Sequence, residues 1–129
     1  MAERFTLLES ALQLATAQGA WIPVGTLTML QVVVDIVSEQ GTLSDFDVWL
    51  ESSVDGGATA RPLVADSGDD NGTAFSDRIN IVNNYPDGGG ARKAHGIYKH
   101  LACDKIRVAW LLAGSSTPGV TFGVKAGGK

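Results

Sequence analysis

Covalent staples are missing from this chain. Cys103 is the single cysteine among 129 residues, so no intramolecular disulfide forms and the small secreted scaffolds held together by bridges are excluded. Basic residues are outnumbered: ten Lys and Arg face 14 Asp and Glu, for a formal net charge of −4 and a pI near 4.9. A protein whose main work is neutralising nucleic-acid phosphates needs the opposite balance. No nucleic-acid partner is expected. Long apolar runs are absent as well, the longest falling far short of the roughly 20 residues that cross a bilayer as a helix, so no membrane partner is expected either. In the opening segment, MAERFTLLESALQLATAQ, Glu3, Arg4 and Glu9 break up what would be the uncharged core of a secretory signal, which predicts no export by that route.

The mixture that remains is globular: 44% hydrophobic and 19% charged residues, in a length that fits one domain at roughly 100 to 200 residues each. Apolar residues alternate with a period of two from residue 27 onward, the mark of half-buried strands. Leu30, Val32, Val34 and Ile36 fall on one face, and Phe46, Val48 and Leu50 repeat the pattern. Ile106, Val108, Trp110 and Leu112 do so again, followed by Val120, Phe122 and Val124. Shorter candidates are RPLVAD, INIVNN and GIYKHLA. Between them stand turn formers: Asp55-Gly56-Gly57 and Asp87 to Gly90 supply positive φ at low cost, Ser115 to Gly119 combine hydroxyls with Pro and Gly, and Gly68 to Phe75 read as a polar surface loop.

Short strands fenced by turns predict an all-β, single-domain β-sandwich, jelly-roll-like or immunoglobulin-like. The domain spans residues 26–129, preceded by an N-terminal arm over residues 1–25. Within the arm, Phe5, Leu8, Leu12 and Ala15 have helical spacing and Thr6-x-x-Glu9 matches a capping box, while Ser10, Leu12 and Leu14 alternate as an extended segment would. The extended arm is the preferred reading.

Chemistry is sparse. His95 and His100 are five apart, which on a strand places them on opposite faces and defeats shared metal ligation or acid–base pairing. Cys103 lacks a local oxyanion hole and reads as a small buried or half-buried thiol. Asp66, Asp69, Asp70 and Asn71 suggest a calcium loop, but Gly68 occupies a ligand position and no bidentate Glu follows. Gly88 to Gly90 with Arg92 and Lys93 follow Pro86 and open no helix, so a hairpin loop is expected there in place of a phosphate cradle. No catalytic, metal or cofactor site is expected.

Two features are less neutral. Residues 1–91 carry three basic and 13 acidic side chains, net −10, whereas residues 92–129 carry seven basic and one acidic, net +6. Either these charges pair within the fold, or a basic patch meets an acidic surface on a partner and sets register there. The arm also brings Phe5, Leu7, Leu8, Leu12, Leu14 and Trp21, apolar area that either folds back on the core or docks on a neighbour, with the neighbour preferred.

The order LLESALQLATAQGAW, then QVVVDIVSEQGTLSDFDVWLESSVDGG, then KIRVAWLLAGSSTPGVTFGV resembles a group of small tailed-phage virion proteins. Their sequences run from an LLxSA arm through a Gly-Thr and an ES-x-DGG hairpin to an arginine-bearing strand, a GGTSP-like turn and a T-F-x-V strand. The likeness is weakest from Pro62 to His95. It departs at Leu43-Ser44, where the group has Ser-Pro, and after Asp55-Gly56-Gly57, where no Trp follows. What the resemblance implies is a capsid decoration or cement protein, a homotrimer on the virion surface, made in the host cytoplasm and bound to identical subunits and the major capsid protein. Phe5, Leu7, Leu8, Leu12, Leu14, Trp21, Arg92 and Lys93 are its expected subunit and shell contacts. A tail or neck component and a carbohydrate-binding module, the latter resting on Trp49 with Tyr85 or Tyr98, are the alternatives.

Overall fold

In the computed structural model, residues 3–63, 67–69, 79–80, 92–99 and 101–129 are described. They contain nine strands and no helix: β1 (Glu3–Gln13), β2 (Ala17–Gln18), β3 (Ile22–Pro23), β4 (Leu30–Ser53), β5 (Arg61–Pro62), β6 (Ser67–Asp69), β7 (Ile79–Asn80), β8 (Arg92–Tyr98) and β9 (Lys105–Gly128). All pairings are antiparallel, in the order β1-β9-β4-β8-β6, with β2 and β3 also on β9 and β5 and β7 on β4.

Its backbone is one ribbon. β4 and β9 are 24 residues each and pair along their whole length, from Leu30 opposite Gly128 to Ser53 opposite Lys105. The four strands expected from alternation are therefore the four halves of these two. Laid straight, the ten residues from Ile36, opposite Phe122, to Phe46, opposite Leu112, would span about 33 Å. Instead, the Phe46 and Phe122 ring centroids lie 5.1 Å apart, edge to face. The ribbon is bent back on itself, and its halves form the two layers of a β-sandwich. The first layer holds β1, the ends of β4 and β9 that carry residues 30–40 and 119–128, β8 and β6; the second holds the other ends with β2, β3, β5 and β7.

The bend is built into the sequence. Gly41 has φ 66°, and a Cβ there would meet the Ser116 carbonyl oxygen at 2.6 Å. Opposite it, Ser116 and Thr117 adopt φ 58° and 56°, a left-handed conformation that is unfavourable for residues with a Cβ and worst for a β-branched one. Register shifts around Val37, Gly41 and Ser44 flank the corner, as bulges do where strands change layers. Residues 115–119, expected as a turn between strands, are this corner within β9. Between the layers lies one core: Leu30, Val32, Val34, Ile36, Phe46, Val48, Leu50, Ile106, Val108, Trp110, Leu112, Val120, Phe122 and Val124 are all buried, on the faces that the period-two reading assigns.

Three expectations change. Gly68 and Asp69, read as loop, belong to β6 and pair with β8; the rest of the Gly68–Phe75 segment lies outside the described residues. Arg92 and Lys93, read as part of a glycine hairpin loop, open β8 and pair with Ile36 and Asp35. Strand β8 also ends at Tyr98, short of the expected GIYKHLA span. The physical reason is of one kind in both segments: ladder pairing, of β8 with β4 and of β6 with β8, stabilises backbone that lacks an apolar repeat of its own. Asp87 to Gly90, Tyr85 and His100 lie outside the described residues.

Candidate functional site

Residues 3–23 track β9 from end to end. β1 pairs with its last part, Glu3 opposite Gly128 through Gln13 opposite Val120; β2 and β3 continue with Ala17 opposite Trp110 and Ile22 opposite Ile106. The helical alternative for this segment is not adopted. Where it crosses the bend, the Trp110 indole Nε1–H donates to the Ala15 carbonyl at 2.9 Å, and the Leu112 amide donates to Thr16 Oγ1 at 3.0 Å. The segment is a third strand of the bent ribbon.

This course sorts the six apolar residues. Leu7 is buried in the core at 3% exposure, and Phe5 and Leu8 are half-buried against it. Trp21 lies on the second layer under the Arg107 guanidinium, 4.4 Å from its ring centre, and against Gly57. Leu12 and Leu14 stay in solvent, at 46% and 53% exposure. Both lean over Gly119 at the corner, where an added Cβ would approach Leu14 Cδ2 at 2.8 Å and Leu12 Cδ1 at 3.1 Å. Leu12 stands opposite Thr121, which stands opposite Ser38, and the neighbouring bulge carries Val37 at 48% exposure. Leu12, Leu14 and Val37 thus form an apolar patch across β1, β9 and β4 at the corner. Val37 was not among the expected contacts, although alternation puts this apolar residue on the wet face. Lys93 is exposed on the same layer, three strands from Leu12, so leucines and lysine do not form one site.

Charges pair within the fold in one clear case. Arg107 on β9 donates from Nε to Glu51 Oε1 on β4 at 2.7 Å, an ion pair across the ladder. Glu51 Oε2 also accepts from the Trp49 indole N–H at 3.3 Å, so the Trp21–Arg107–Glu51–Trp49 row is bonded internally across the second layer. Below it, the Asp55-Gly56-Gly57 turn is closed by side chains: Thr59 Oγ1 and Ser53 Oγ donate to Asp55 at 2.7 Å each, and the Thr59 amide donates at 2.9 Å. These bonds hold the exposed Asp55 carboxyl down to about 2 from 3.8.

Elsewhere the titratable groups are placed for structure. Burial and the adjacent Asp104 charge push the half-buried Cys103 thiol up, away from thiolate reactivity. Burial likewise raises Tyr98. Among the described residues, no three His, Cys, Asp or Glu side chains come close enough to hold a metal ion, and no helix is long and apolar enough to cross a membrane.

No family model and no curated protein matches this chain. Among solved structures, the SPBc2 prophage-derived protein YomS is similar, with 13% identity over 99% of this chain and 92% of that one and a TM-score of 0.58. Infectious bursal disease virus, Gx strain, aligns at 12% identity over 99% of this chain and 32% of that one, with a TM-score of 0.42, too low for argument. The bent-ribbon sandwich is a fold shared with a prophage-derived protein.

Proposed function

We propose that the chain is a phage virion structural protein that decorates the head shell and strengthens it, as a homotrimer in contact with the major capsid protein and without catalysis. The observation that carries this reading is the Leu12–Leu14–Val37 patch: of the four large apolar side chains exposed among the described residues, three gather at the corner, the fourth being Val54. Exposed apolar area concentrated at one place on a rigid body is characteristic of a surface that meets another protein. The fold held in common with a prophage-derived protein agrees with a building role.

The test uses purified heads lacking this protein. Wild-type chain and a Leu12→Ser/Leu14→Ser variant are added, and occupancy is counted by cryo-electron microscopy. The variant is expected to bind at a small fraction of the wild-type level while keeping its melting temperature. Equal occupancy of the two rejects the patch as the contact, and density on the tail or neck moves the protein there.

A further inference from the structure

On the outer face of the first layer, a groove of about 580 Å³ lies between Arg4 and Lys125, with Val33 and Gly127 in its lining. Thr6 is opposite Lys125 and Arg4 is opposite Gly127. The two cations are therefore diagonal neighbours on one face, at about 7–8 Å in such a ladder. Both are exposed, and neither pairs with a carboxylate among the described residues. On the far side of β9, Val33 stands opposite both Lys125 and His95, and Asp35 of β4 is opposite Lys93. Asp35, opposite Gly123 and Lys93, is a diagonal neighbour of Lys125 on this face, but it forms no ion pair with Lys125 or Arg4, and Arg4, Lys93 and Lys125 outnumber it. Arg4 and Lys125 repel one another, and an anion seated between them relieves that repulsion.

A second recess of about 350 Å³ shares Gln31 and Gly127 with the first and reaches Ile97 and Lys129. Together they make a trough across β1, β9, β4 and β8, with cations at both ends and apolar surface between. Gly127 brings no side chain into it, so a ligand backbone can approach closely. A single small anion would use one end only. An extended chain uses all of it.

We propose that this trough binds an extended acidic segment of a partner protein, its carboxylates at Arg4, Lys125 and Lys129 and its apolar side chains against Val33 and Ile97. This goes beyond the virion reading, because it fixes the partner's chemistry whatever assembly the partner belongs to. The probe is an array of random ten-residue peptides, read with the labelled full-length protein. Retained peptides are expected to carry two or more carboxylates interleaved with apolar residues. Their binding, measured by fluorescence anisotropy, is expected to weaken about tenfold in Arg4→Glu/Lys125→Glu, each exposed ion pair being worth roughly two- to fivefold. It is also expected to weaken as salt rises and to be unchanged in Lys105→Glu on the other layer. Melting curves establish that both variants are folded. Peptides retained without an acidic bias, no peptide retained at all, or equal affinity in the double variant overturns the proposal. So does inorganic phosphate that displaces the peptides at matching concentration, which makes this a small-anion site. An oligomer in sedimentation velocity that the double variant dissociates overturns it too, because the occupant is then a second copy.

Discussion

Leu7 and Leu12 are five residues apart in one strand and have opposite fates. Leu7 is packed into the core and Leu12 is on the surface, so Leu7→Ala is expected to cost about 2–5 kcal/mol and Leu12→Ser no more than about 0.5 kcal/mol, both read by equilibrium urea unfolding. Phe122 sits where the layers meet, edge to face with Phe46 at 5.1 Å and with Trp110 at 5.4 Å; Phe122→Ala is expected to lose about 3–5 kcal/mol in the same assay. Asp55 supplies a pH signature. Its folded-state pKa is depressed to about 2 by bonds from Thr59 and Ser53, which the unfolded chain lacks. Its contribution is therefore complete above the ordinary value of 3.8, fades as pH falls through that value toward about 2, and is gone below. Comparing wild type with Asp55→Asn by denaturant unfolding, the stability gap is expected to narrow as the pH is lowered across that window, and a constant gap would contradict the assignment.

Among the elements, β4 and β9 show what alternation reveals and what it hides. Inward residues such as Val34, Phe46, Val108 and Phe122 were legible because each stretch needs one apolar face, whatever it pairs with. Continuity across Gly41 and across Ser115 to Gly119 was not, since glycine and a hydroxyl-rich Pro-Gly segment are written the same way for a hairpin turn as for a corner. β8 was only partly visible: in Arg92 to Tyr98 the ladder with β4, not an apolar repeat, holds the strand. At the candidate site, the arm's apolar content was legible, but its division into Leu7 inside and Leu12 and Leu14 outside depends on the register of β1 against β9, a long-range pairing that local pattern does not encode. The corner itself is testable. At Gly114 an added Cβ would clash with the Thr42 carbonyl oxygen, and at Gly41 the positive φ adds strain. Gly41→Ala is expected to destabilise by more than about 1 kcal/mol, seen as a lower urea midpoint.

For the whole molecule, the N-terminal segment is part of the body. Deleting the first 20 residues would strip β1 and β2 from β9, uncover Leu7 and remove the Ala15 and Thr16 bonds at the corner. The truncated chain is expected to be unfolded by circular dichroism, which is why surface substitutions and not truncation are the instrument for testing contacts. Because every pair of the main ladder, from Leu30–Gly128 to Ser53–Lys105, joins residues far apart in sequence, folding is expected to be slow for a chain this size, in the millisecond-to-second range of non-local β topologies by stopped-flow. A sandwich whose layers come from separate strands can be sheared apart by breaking side-chain contacts alone. Here the same two backbones run through both layers, so a tug on one layer is passed to the other along covalent bonds, through the corner beneath Leu12 and Leu14.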